Sequence, residues 1–386
     1  MGGITQRLGT GLLALAISSA LSYPVQAGQD VQALPAVQAN QINTTDRLIV
    51  KFHTPSANIG TRIKALGATK GANLTHSRAM SGGAHVARLG QRISHVEARA
   101  LAKQLAANPD VAYVEPDVRV YPQLVPNDSL YSLQWHYYEP AGGINLPGAW
   151  DISTGSNNIV IAVIDTGVVP HADLAGRLIP GYDFISDAAD SNDGDGRDSN
   201  ANDPGDYGCN GGSSSWHGTH IAGTIGAASN NGVGVTGINW LSKILPVRVL
   251  GKCGGYTSDI VDAMRWAAGL NVPGVPANPF PARVQNLSFG GEGSCAATFQ
   301  NAVDDVTALG TVVVVAAGNG GSDVANTQPA SCNGVIAVAA TVRNGGKASY
   351  SNFGAKVAIA APGGGNGGFI LSTLNTGTTI PIADSY

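Results

Sequence analysis

Ile161-Ala162-Val163-Ile164-Asp165-Thr166-Gly167 is the stretch on which the fold turns. Four apolar residues in a row read as a short buried strand. The acid that follows ends it, and a glycine permits a tight turn. Working outward from it, similar apolar runs alternate with helical stretches from residue 127 onward. Strands are expected at 159–164, 244–250, 283–289, 311–316, 335–340 and 356–360, and helices at 217–227, 258–270 and 296–309. Unbroken runs such as Val312-Val313-Val314-Val315 call for cover on both faces, which defines an α/β domain with a parallel sheet flanked by helices. Functional groups of such sheets gather beyond the carboxyl ends of the strands. Asp165, Ser288 and Asn319 are expected there.

A smaller unit precedes this domain. Strands at 48–52, 84–89 and 111–116, helices at 59–66 and 95–107, and a further strand near Leu74 make a compact ferredoxin-like α+β unit. The segment 121–126, with Pro122 and Pro126, reads as the linker after it. At the N-terminus, Arg7 precedes the apolar run Leu12 to Ile17, and small residues lead to Ala27. This is the grammar of a secretory signal peptide over residues 1–27, with a run too short for a stable membrane anchor. An exported protein without a membrane span after signal removal is expected.

Charged residues make up 12% of the chain and the net charge is -4, so no basic field points to nucleic acid as a partner. The four cysteines, Cys209, Cys253, Cys295 and Cys332, form no C-x-x-C pair. In an exported protein an even set reads as two disulfides, with three possible pairings, and a zinc site is the weaker alternative.

His217-Gly218-Thr219-His220-Ile221-Ala222-Gly223 opens an Ala/Gly-rich helix, and Ala316-Ala317-Gly318-Asn319 closes the valine strand. Together with Val163-Ile164-Asp165-Thr166-Gly167, in this order and context, these stretches resemble the subtilisin-type serine peptidases. The resemblance runs from about residue 127 to the end, and 47–120 resembles the inhibitory propeptide that precedes such enzymes. It implies a subtilisin-like domain over 127–386 and a propeptide over 44–122, the latter acting as the enzyme's own partner until cleaved near 123–126.

The resemblance also assigns roles. A serine hydroxyl is a poor nucleophile near neutrality, so a neutral imidazole must take its proton, the role of His217. Asp165 would hold that ring in the right tautomer. Asn319 would donate to the developing oxyanion. Ser288, Phe289 and Gly290 resemble the strand edge to which an extended peptide adds, with Ala317 and Gly318 beside them. No charged residue stands in these segments, so uncharged, fairly large side chains are expected before the cleaved bond of a protein or peptide substrate.

A structural Ca2+ is implied at Asp173, in His171-Ala172-Asp173-Leu174, together with Asn231 and the carbonyls of Ser229, Val233 and Val235, with Asp128 as a further carboxylate. Asp193, Asp195 and Asp198, in the acidic loop 187–206, are a second candidate set. Arg197 breaks the EF-hand spacing there, and a solvated loop is the other reading. The resemblance favours the pairs Cys209–Cys253 and Cys295–Cys332. It implies a secreted, monomeric endopeptidase.

After Asn319 the serines are Ser322, Ser331, Ser349, Ser351, Ser372 and Ser385, and none stands in a Gly-Thr-Ser-Met-Ala-type context. The expectation is that the reactive serine lies beyond Tyr386 and that this chain as written is inactive. A non-catalytic secreted peptide-binding protein of the same fold is the alternative.

Overall fold

Alternating burial along Thr44–Phe52, with Leu48 and Val50 fully inside, makes this strand the centre of the smaller unit. The computed structural model describes residues 44–119, 124–365 and 368–386; the expected signal segment lies outside them. β1 (Thr44–Phe52), β2 (Leu74–Ala79), β3 (Ala84–Ser94) and β4 (Val111–Pro116) form an antiparallel sheet in the order β2-β3-β1-β4. α1 (Ile59–Ala68) and α2 (His95–Ala106) supply Ile63, Leu66, Ala102 and Leu105 to its core. α2 starts at a capping box in which Ser94 and Glu97 satisfy each other's backbone N–H. This is the ferredoxin-like unit expected, including its strand at Leu74.

The larger unit is a seven-stranded parallel sheet. Its strands are β5 (Val160–Asp165), β6 (Tyr182–Asp183), β7 (Lys243–Arg248), β8 (Val284–Leu287), β9 (Val312–Ala316), β10 (Val335–Thr341) and β11 (Val357–Pro362). The spatial order is β11-β10-β9-β8-β5-β7-β6. After β5 the chain places β6 at one edge and returns to insert β7 between them, then builds β8 to β11 outward on the other side. Connections diverge at β5 and β8, which opens a crevice at their carboxyl ends.

α4 (Thr257–Ala267) and α5 (Ala297–Ala308) pack on one face, where Ile260, Met264, Trp266, Phe299 and Val303 meet Ile164, Leu245, Val313 and Ala337. α3 (His217–Gly226) packs on the other, with Ala222 against Val163 and Ile244.

The expectation of cover on both faces needs correction for the outer strands. Val163, Asn286, Val314 and Ile336 lie in one lateral row on the α3 face. Of the strands of this sheet, α3 packs mainly on β5 and β7. Beyond it Val312, Ile336 and Ile359 are 42%, 38% and 59% exposed. Among the described residues this side of β9 to β11 is thus only partly covered.

Candidate active site

Asp165 ends β5 with its carboxylate fully buried, and His217 begins α3 with its ring 41% exposed. His217 Nδ1 donates to Asp165 Oδ1 at 2.8 Å, and Thr166 N donates to the same oxygen at 2.8 Å. Asp165 Oδ2 is buried with no hydrogen-bond partner among the described residues. Burial lowers the proton affinity of the His217 ring, but the bond to and charge of Asp165, with Asp206 and Asp203 behind it, outweigh burial and raise it.

The exposed edge of the ring borders a cavity of about 390 Å³. Ser288 and Leu250 also line it, and the Cys209–Cys253 disulfide contributes to its wall. Both expected disulfides are present, Cys209–Cys253 and Cys295–Cys332, with Cα separations of 5.0 and 4.9 Å.

Asn319 is exposed in the turn after β9, at the same strand-end edge as Ser288. The turn needs a left-handed residue, which Gly318 supplies at φ +103°. Asn352 holds it in place. Its Oδ1 accepts from Gly320 N (3.0 Å) and Ser322 N (2.9 Å), and its Nδ2 donates to Ala317 O and Thr327 Oγ1, both at 2.9 Å. Ala317 N also donates to Val338 O at 2.9 Å. Nothing in the sequence around Asn352 marks this role. Phe289 is half-buried against the α4/α5 core, and Gly290 lies against the Thr327 methyl.

The buried Asp173 accepts from Val235 N at 2.8 Å and from Asn231 Nδ2 at 3.3 Å. Asp128 Oδ2 accepts from Asn230 N at 2.8 Å, while its Oδ1 is buried without a hydrogen-bond partner among the described residues. Burial raises the pKa of both carboxyls. The carbonyls of Ser229, Val233 and Val235 accept no hydrogen bond among the described residues. An orphaned carboxylate oxygen and unclaimed carbonyls fit a hard cation. Asn231, however, turns its amide nitrogen to Asp173 and its oxygen to Val233 N, so a ligating geometry requires that amide to turn over.

The acidic loop is organised differently. Arg248, buried at the end of β7, pairs with Asp183 and, at 2.6 Å, with Asp193. Arg197 pairs with Asp259 and Asp262 on α4. Asp198 Oδ1 accepts from Asn200 N at 2.7 Å, and Asp193 Oδ1 accepts from Asp195 N at 3.4 Å. Among the described residues no three His, Cys, Asp or Glu side chains converge as a metal centre.

The parallel sheet thus carries an Asp–His pair at the switch point of its strand order, beside an open cavity. A sequence profile of the subtilase family matches residues 156–386. An extracellular protease of Xanthomonas campestris pv. campestris is 49% identical over 86% of this chain and 58% of its own length. An extracellular basic protease of Dichelobacter nodosus is 41% identical over 97% of this chain and 65% of its own. Among solved structures, proteases from Pseudoalteromonas arctica match with TM-score 0.66 and 54% identity, over 68% of this chain and 81% of theirs. The chain belongs to the subtilase family of subtilisin-like serine proteases. It spans less than two thirds of the length of the two extracellular relatives. Among the described residues no helix is long and apolar enough to cross a membrane.

Proposed function

We propose that this chain is the precursor and base-bearing part of a secreted subtilisin-type endopeptidase. The observation that carries the reading is the 2.8 Å bond from His217 Nδ1 to buried Asp165, with the other edge of the ring on an open cleft. Asp165 fixes the tautomer that leaves Nε2 unprotonated, so His217 can take a hydroxyl proton as that oxygen attacks a peptide carbonyl. Asn319 would then donate to the oxyanion. An extended peptide would lie along Ser288, Phe289 and Gly290, beside Ala317 and Gly318.

No serine hydroxyl bonds Nε2 among the described residues. The nucleophile is therefore proposed to come from sequence following Tyr386, consistent with the greater length of the relatives. Residues 44–122 act as the inhibitory propeptide, and residues 1–27 as the export signal. Ca2+ is proposed at Asp173, Asp128 and Asn231 with the carbonyls of Ser229, Val233 and Val235, where it would neutralise two buried carboxylates and tie the loop to the domain. The test is casein hydrolysis by the product of the complete reading frame against that of the 386 residues. The longer product should cleave and be silenced by a serine-directed reagent, and the shorter should be inert. An inert longer product that still binds unfolded peptides would favour a non-catalytic binder.

A further inference from the structure

Helix α3 begins without a capping side chain of its own. Its N-cap residue, Trp216, adopts a left-handed φ of 53° and offers none to the free N–H groups. Two hydroxyls from elsewhere take that place. His217 N donates to Ser215 Oγ at 3.3 Å, and Gly218 N donates to Thr166 Oγ1 at 3.0 Å.

Each hydroxyl is itself anchored by a carboxylate. Ser215 Oγ donates to Asp206 Oδ2 at 2.7 Å, and Thr166 Oγ1 donates to Asp203 Oδ2 at 2.7 Å. Because each hydroxyl proton is committed to an acid, each oxygen presents a lone pair to the helix, and a freely rotating hydroxyl would not do so reliably. The acids are held in turn. Asp206 Oδ1 accepts from Ser215 N at 2.6 Å, and Asp203, only 2% exposed, accepts from Gly205 N at 2.8 Å through Oδ1.

We propose that Asp203 and Asp206 are positioning residues for His217, acting through the hydroxyls of Thr166 and Ser215 on the first two N–H groups of α3. The inference rests on the reading of His217 as the general base. Asp165 holds the ring, and the two relays hold the backbone from which the ring projects. A base must reach its proton within a few tenths of an ångström, so fixing the backbone as well as Nδ1 matters to the chemistry. The charged and titratable groups bearing on this ring and its acids are Asp165, Asp203, Asp206, His220 and Arg248.

The test is the NMR titration of the His217 ring in the 386-residue chain, together with its downfield Nδ1–H resonance. This readout needs no nucleophile, so its outcome is independent of whether any longer product cleaves peptides. Thr166→Val, Ser215→Ala and Asp203→Asn should each lower the His217 midpoint by about one pH unit and broaden the Nδ1–H resonance. Thr166→Ser should restore both, while the resonances of His53 stay in place throughout. An unmoved His217 midpoint in Thr166→Val would overturn the proposal, as would equal damage from Thr166→Ser. Global unfolding of Asp203→Asn would assign Asp203 to the fold and not to the ring, and would overturn it too.

Discussion

Gly218, at the second position of α3, packs so closely on Gly167 that a Cβ at 218 would stand 2.1 Å from the Gly167 carbonyl oxygen. This contact joins the strand end that carries Asp165 to the helix start that carries His217. Glycine inside a helix is normally about 1 kcal/mol worse than alanine. Here the sign reverses. Gly218→Ala should destabilise by about 1–3 kcal/mol in urea unfolding through overpacking and should weaken the Nδ1–H resonance of His217. A more stable variant with that resonance intact would show the contact to be dispensable.

The Asn352 side chain satisfies five groups around the Asn319 turn from across the sheet edge. Alanine there leaves buried donors and acceptors without partners, so a loss of about 2–4 kcal/mol is expected. Asn352→Asp should fail as well, since a carboxylate cannot donate to Ala317 O. Urea midpoints for both variants check this; an aspartate variant as stable as the parent would refute it.

The two disulfides close loops of 44 and 37 residues, and loop entropy alone makes each worth up to about 4 kcal/mol. Removing Cys209–Cys253 or Cys295–Cys332 as serine pairs should therefore lower stability similarly. Only the first borders the cavity beside His217. Chemical-shift changes at the His217 ring should accompany the first replacement and not the second.

His136 is 4% exposed, with neither ring nitrogen hydrogen-bonded among the described residues. Burial, with a smaller contribution from His220, pushes its pKa down from 6.5 to about 4. The unfolded chain then binds the extra proton first, so stability is complete above pH 6.5 and falls as pH is lowered toward 4, by at most about 3 kcal/mol. His136→Phe should remove that part of the acid slope and raise stability at neutral pH by about 1–2 kcal/mol. Urea titrations at several pH values measure both.

Calcium should stabilise the folded chain. At a hundredfold excess over the dissociation constant the gain is about 2.7 kcal/mol, and chelation should reverse it. Asp173→Asn should abolish the response, whereas Asp195→Asn should leave it unchanged. A melting temperature indifferent to calcium would remove the ion from the account.

How far the sequence reaches depends on how local the determinants are. β5, the start of α3 and the buried strand before Asn319 are legible because each is a short run whose burial and termination lie within a few residues. The cleft partners are not. Thr166 meets Gly218 across 52 positions, and Asn352 meets Gly320 across 32, with nothing in either local pattern to announce it. Asp193 stands in an acidic run that reads equally as a ligand set or a solvated loop, and its pairing with Arg248, 55 positions away, is not legible there.

The central claim is that Asp165 and His217 form the base half of a serine peptidase site. The most direct measurement is casein hydrolysis by the product of the complete reading frame, with and without His217→Ala. The account predicts measurable hydrolysis in the parent, inhibited by a serine-directed reagent, and a loss of about a millionfold in turnover in the variant, as is known for the catalytic histidine of subtilisin itself. Hydrolysis that survives His217→Ala within tenfold of the parent would contradict it.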